Sequence, residues 1–138
     1  MTYEEKNAWI YAALAIVLPV IYFWIILGQL TTTAVSEIAY QQPLLIAIGA
    51  AIAASIVLSI LLGIFSPKNT QRDQRDQDIK RHGEYVGGIV LGVGMVAPFA
   101  LALIEVDHFW ISNAIYLAFV LAAFCGTAVK LVAYRRGF

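Results

Sequence analysis

The sequence predicts an all-α membrane protein: four transmembrane helices in an up-and-down bundle, forming a single domain over residues 1–138 with both termini cytoplasmic. Three observations carry that expectation. The 138 residues are 61% hydrophobic and only 13% charged, against about 45–50% apolar and about 25% charged in ordinary soluble domains. Four stretches, near 8–29, 43–65, 85–104 and 109–132, are each long enough to cross a bilayer core of roughly 30 Å, and none carries an Asp, Glu, Lys, Arg or His well inside it. All nine Lys and Arg residues fall before the first stretch, between the second and third, or at the end of the fourth. The positive-inside rule makes that side cytoplasmic.

The first span follows Glu4, Glu5 and Lys6. Its length, and the two acids where a secretory leader would be basic, argue for a retained helix rather than a signal sequence cleaved after Ala34-Val35-Ser36. The second span begins near Pro43 and is rich in small residues, among them Ala47, Gly49, Ala50, Ala51, Ala53, Ala54, Ser55 and Ser59. The third contains Gly87, Gly88, Gly92 and Gly94, with Gly88 and Gly92 in GxxxG spacing, and the fourth carries the row Ala118, Ala122, Gly126. Membrane helices associate where small residues let backbones approach, so spans 2, 3 and 4 are expected to pack closely. These rows serve either the bundle itself or an oligomer interface.

Pro19 and Pro98 are each expected to kink their span. They are 79 residues apart, an offset that also aligns Glu5 with Glu84 and Ile10 with Ile89. Two independent kinks account for them, as does a trace of duplicated hairpins. Aromatic residues gather at the expected interfaces: Trp9, Tyr11, Tyr85 and Tyr134 inside, and Tyr22, Trp24, Tyr40, Phe109 and Trp110 outside.

The charged segment 66–84 opens with turn residues Ser66-Pro67-Lys68-Asn69-Thr70 and continues as a short polar helix, with an Asp76–Lys80 pair at i,i+4 and a hinge at Gly83. Its run Asp73-Gln74-Arg75-Asp76-Gln77-Asp78-Ile79 resembles the Asp-Glu-Arg-Asp-x-x-Ile signature of small prokaryotic four-span membrane proteins of uncharacterised function, with Gln74 in place of the glutamate. That resemblance implies a bacterial or archaeal cytoplasmic membrane. It implies no activity and no catalytic residue. Physically the segment is a solvated connector or a docking surface, and Arg72, Asp73, Arg75 and Asp76 are the candidate docking residues.

Chemistry has little foothold in this sequence. Nine acidic residues cancel the nine basic ones, so no field attracts nucleic acid. No nucleophile elbow, Walker loop, HExxH or dinucleotide fingerprint occurs, so neither an enzyme nor a cofactor is expected. Cys125 reads as a packing residue, and His82 and His108 fall on opposite sides, which rules out their sharing one haem iron. Glu105, Asp107 and His108 supply oxygen and nitrogen donors that could hold a cation, although a polar helix-to-helix turn has the same composition. The expected role is therefore a non-catalytic integral membrane subunit or modulator of a larger assembly, with the bilayer and a membrane-protein partner or further copies around it. A small homo-oligomeric transporter or channel is the alternative.

Overall fold

A computed structural model describes residues 3–65 and 74–136, and in them every regular element is helical. Helix α1 runs Tyr3–Leu30, α2 Gln41–Phe65, α3 Gln74–Gly94, α4 Val96–Leu103 and α5 His108–Arg136. Four rods are long and apolar enough to cross a membrane: α1, α2, α3 with α4 as one rod, and α5. Their outward surfaces are apolar, from Trp24 on α1 to Phe65 on α2 and Phe99 on α4. An exterior of this kind suits lipid and would be a large aggregation-prone patch in water.

The helices do not close into a symmetric bundle. α5 is central, with α1 on one side and the α3–α4 rod on the other, while α2 packs chiefly on α1. The residues of α5 explain its position, because it has two packing faces. Phe109, Asn113, Tyr116 and Val120 recur at helical spacing toward α1, and Ala118, Ala122 and Gly126 form a flatter row toward α3 and α4. α2 has no buried residue, and its half-buried residues centre on the stripe of Leu44, Ala47, Ala51, Ser55, Ser59 and Leu62. The expected packing of spans 3 and 4 is present, and the expectation is corrected for span 2 alone. Small residues permit close approach without specifying a partner, and those of α2 meet α1.

Neighbouring helices are antiparallel. Near the termini, Ser59 Oγ donates to Asn7 Oδ1 at 2.9 Å, joining α2 to α1, and the Arg135 guanidinium lies 5.4 Å from the centre of the Trp9 ring, joining α5 to α1. At the opposite end Tyr22, Ile26, Ile38, Phe109 and Tyr116 form the buried cluster. Val35–Glu37 is a single 3-10 turn that delivers Ile38 into it. Inside this cluster Tyr22 Oη donates to Asn113 Oδ1 at 2.5 Å, and Asn113 Nδ2 donates to Phe109 O at 2.8 Å. Both the oxygen and the nitrogen of the amide are therefore bonded within the protein, as a polar group among apolar helices must be.

The two prolines act differently. α1 continues through buried Pro19, whereas the third rod is interrupted at Met95, three residues before buried Pro98. Pro98 has no N–H for the carbonyl of Gly94, and its ring crowds that carbonyl. The flanking bonds Met95 N–H to Leu91 O and Phe99 N–H to Met95 O keep the rod together. α4 ends in a Schellman motif: Val106 N–H donates to Leu101 O and Glu105 N–H to Ala102 O, with Glu105 at φ 57°.

Candidate functional site

The α3–α5 seam and the charged start of α3 hold most of the residues singled out from the sequence. At the seam, a Cβ built on Gly126 would lie 2.8 Å from Gly83 O, and one on Gly87 would lie 3.1 Å from Ala122 O. A Cβ on Gly94 would meet Ala118 Cβ at 3.1 Å. Backbone therefore touches backbone along Gly83, Gly87, Ala122 and Gly126, a separation at which Cα–H groups also approach carbonyl oxygens. Gly88 and Gly92, the GxxxG pair, stand apart from this seam. Nothing lies within 4 Å of a Cβ on either. They form a notch on an outward face with exposed Tyr85, Ile89, Val93, Val96 and Phe99.

Gly83 is not a hinge. α3 runs unbroken from Gln74 to Gly94, and Gly83 is buried where the rod crosses α5, under the Lys130 side chain and against Gly126 O. The polar segment and the third span are therefore one helix, whose first ten residues make a stalk of about 15 Å at 1.5 Å per residue. Ile79, fully buried, anchors the stalk. Gln74, Gln77, Asp78, Lys80, Arg81, His82 and Glu84 are exposed around it. The ion pair on this helix joins Lys80 to Glu84 at 3.9 Å in place of the expected Asp76–Lys80 pair. Both partners are more than half exposed, so the pair contributes little.

The four candidate docking residues separate. Arg72 and Asp73 lie outside the described residues. Asp76 sits half-buried in the first turn of α3, where its charge suits the helix dipole. Arg75 reaches across to α5 and donates to Ala133 O at 3.3 Å and Tyr134 O at 3.5 Å. The last carbonyls of a helix have no acceptor role inside it, and a guanidinium there satisfies them and opposes the negative end of the dipole. Sequence reasoning missed this contact because its two halves are 58 residues apart.

At the opposite end, Glu105 and Asp107 occupy the turn between α4 and α5, and His108 begins α5. No group of three or more His, Cys, Asp or Glu side chains that could hold a metal ion occurs among the described residues. Cys125 is half-buried on α5, with its thiol not in a disulfide. The described basic residues, Lys6, Arg75, Lys80, Arg81, Lys130, Arg135 and Arg136, all lie toward the end where α1 begins and α5 finishes. Comparison with protein-family models, curated proteins and solved structures finds no match for the chain.

Proposed function

We propose that this chain is a non-catalytic integral membrane subunit or modulator, seated against a partner through the Gly88–Gly92 notch, with both termini on the cytoplasmic side of a prokaryotic membrane. The notch is the observation that carries the reading. Two glycines four residues apart have no neighbour within 4 Å, on the same rod whose other glycines are in backbone contact with α5. Helix pairs in lipid gain most where backbone can approach backbone, and a partner helix fills such a notch better than mobile chains do. The charged stalk continues the same helix beyond its apolar part and gives the partner a polar surface to meet. The clustering of basic residues at the terminal end supports the cytoplasmic orientation. Intramembrane polar side chains bond from helix to helix, as Tyr22 does to Asn113 and Ser59 to Asn7, which favours a packing role over ion-coupled transport.

Native mass spectrometry of the protein extracted from its own membrane tests this reading. The expected mass includes a different subunit in fixed ratio, lost in Gly88→Ile and Gly92→Ile and retained in Gly49→Ile, whose position on α2 is equally open. A homo-oligomer lost in the same two variants would move the assignment to the transporter or channel alternative. A bare monomer, or a complex indifferent to both variants, would exclude the notch as an interface.

A further inference from the structure

A second feature, on the other side of the molecule, is a cavity of about 600 Å³ among α1, α2 and α5. Its back wall is α1, from Tyr11 to Pro19, and its sides are α2 from Leu44 to Ser55 and α5 from Ser112 to Ala123. α2 and α5 each lean on α1 without packing substantially on each other, which leaves a slot between them. The Tyr22 cluster closes the cavity toward the loop end, and the Asn7–Ser59 hydrogen bond ties α1 to α2 below it. The walls are aliphatic and aromatic. Their side-chain polar groups are the hydroxyls of Tyr11, Ser55, Ser112 and Tyr116, and Ser55 Oγ already donates to Ile52 O.

We infer that this cavity takes one hydrocarbon chain of a membrane lipid, entering sideways through the slot between α2 and α5. Length is the first argument. Leu44 to Ser55 and Ser112 to Ala123 are each twelve residues, eleven rises or about 16 Å along a helix, and half of a roughly 30 Å hydrocarbon core is about 15 Å. The cavity begins three or four residues inside the loop ends of α2 and α5 and finishes near the middle of both, while its α1 wall, Tyr11 to Pro19, lies about the middle of that helix, so its length matches one acyl chain within the hydrocarbon core. Volume is the second. About 600 Å³ along about 16 Å of helix is a mean section of roughly 37 Å², much narrower than a helix 10–12 Å across, so a whole helix does not enter the slot, whereas a single hydrocarbon chain does. Charge is the third. No ionisable group other than the two phenols lines the cavity, and a charged or strongly polar solute would lose hydration there without replacement.

The test uses the full chain in nanodiscs of phosphatidylcholine, a fraction of which bears a photoactivatable diazirine on one acyl chain. Adducts are mapped by peptide mass spectrometry. Saturable labelling is expected at Ile48, Ile115 and Phe119, above the level at exposed Val93 and Phe99 on the other side of the molecule. Ala123→Phe and, separately, Ile115→Trp fill the cavity, and each should lower labelling at the remaining wall residues roughly tenfold. Val93→Phe should leave it unchanged. Circular dichroism of each variant verifies that the helices persist, and two independent fillings guard against one that perturbs packing. Uniform, unsaturable labelling of every exposed helix, or wall labelling that survives both fillings, would overturn the inference. So would protein-to-protein crosslinks from a photoreactive residue at position 115.

Discussion

Replacing Gly126 by alanine puts a methyl group where α3 and α5 touch through their backbones, and the cost follows from the geometry. The new Cβ would be 2.8 Å from Gly83 O and 3.5 Å from Gly87 Cα, against 3.4–4 Å for ordinary contact. The obstructing atom is a carbonyl oxygen held in a helix, so no rotamer change relieves it and the rods must separate by about half an ångström. Overpacking of this kind costs about 1–3 kcal/mol, and the better helix propensity of alanine returns about 0.5–1 kcal/mol. The expected net loss spans about 0–2.5 kcal/mol, with a central value of about 1 kcal/mol. Gly88→Ala meets nothing within 4 Å and is expected to stabilise by about 0.5–1 kcal/mol. Gly83→Ala belongs with Gly126→Ala, because its Cβ would meet Gly126 O at 2.8 Å as well as the more yielding Lys130 side chain. Since both substitutions strain one contact, their double variant should be less destabilised than the sum. Reversible unfolding in mixed micelles, followed by tryptophan fluorescence, measures all four variants. Equal stabilities for Gly126→Ala and Gly88→Ala would refute the assignment of which glycine row faces α5.

Two further outcomes follow from local geometry. Removing the hydroxyl in Tyr22→Phe should cost about 0.6–1.7 kcal/mol, the range for hydrogen bonds between membrane helices; a double-mutant cycle with Asn113→Ala should show a coupling of similar size, and zero coupling would mean that ring packing alone joins α1 to α5 there. Glu105 adopts φ 57°, a conformation costing an L-residue about 1–2 kcal/mol, so Glu105→Gly should raise the thermal midpoint in detergent and the β-branched Glu105→Val should lower it, while equal midpoints would show that the turn reorganises.

The hydropathy pattern made the four rods legible, because about 20 apolar residues in succession leave a membrane helix as the natural state. Face assignment was harder, for a reason visible at two adjacent residues. Gly87 and Gly88 each stand four residues from another glycine or its equivalent on the rod, Gly83 and Gly92 respectively, yet lie about 100° apart around the helix. Only the position of α5 decides which pair is the seam. The same uncertainty covered α2, whose alanines satisfy the small-residue pattern and meet α1 instead of α3 or α5. Gly83 illustrates the converse. Glycine in a polar helix suggests a hinge from propensity alone, but its role here is to remove a Cβ from a crossing that includes Gly126. Arg75 was legible as a charge and not as a cap, because the carbonyls it serves belong to α5. The cavity was legible from no segment, since it exists only because two helices lean on a third and leave their own contact unmade. The two proposed surfaces therefore have different standing toward the sequence. The notch can be located once α5 is placed, whereas the lipid-chain site depends on the spacing of three helices. Substitutions that draw α2 toward α5 should close the second while leaving the first intact, so the two proposals can be tested separately in one molecule.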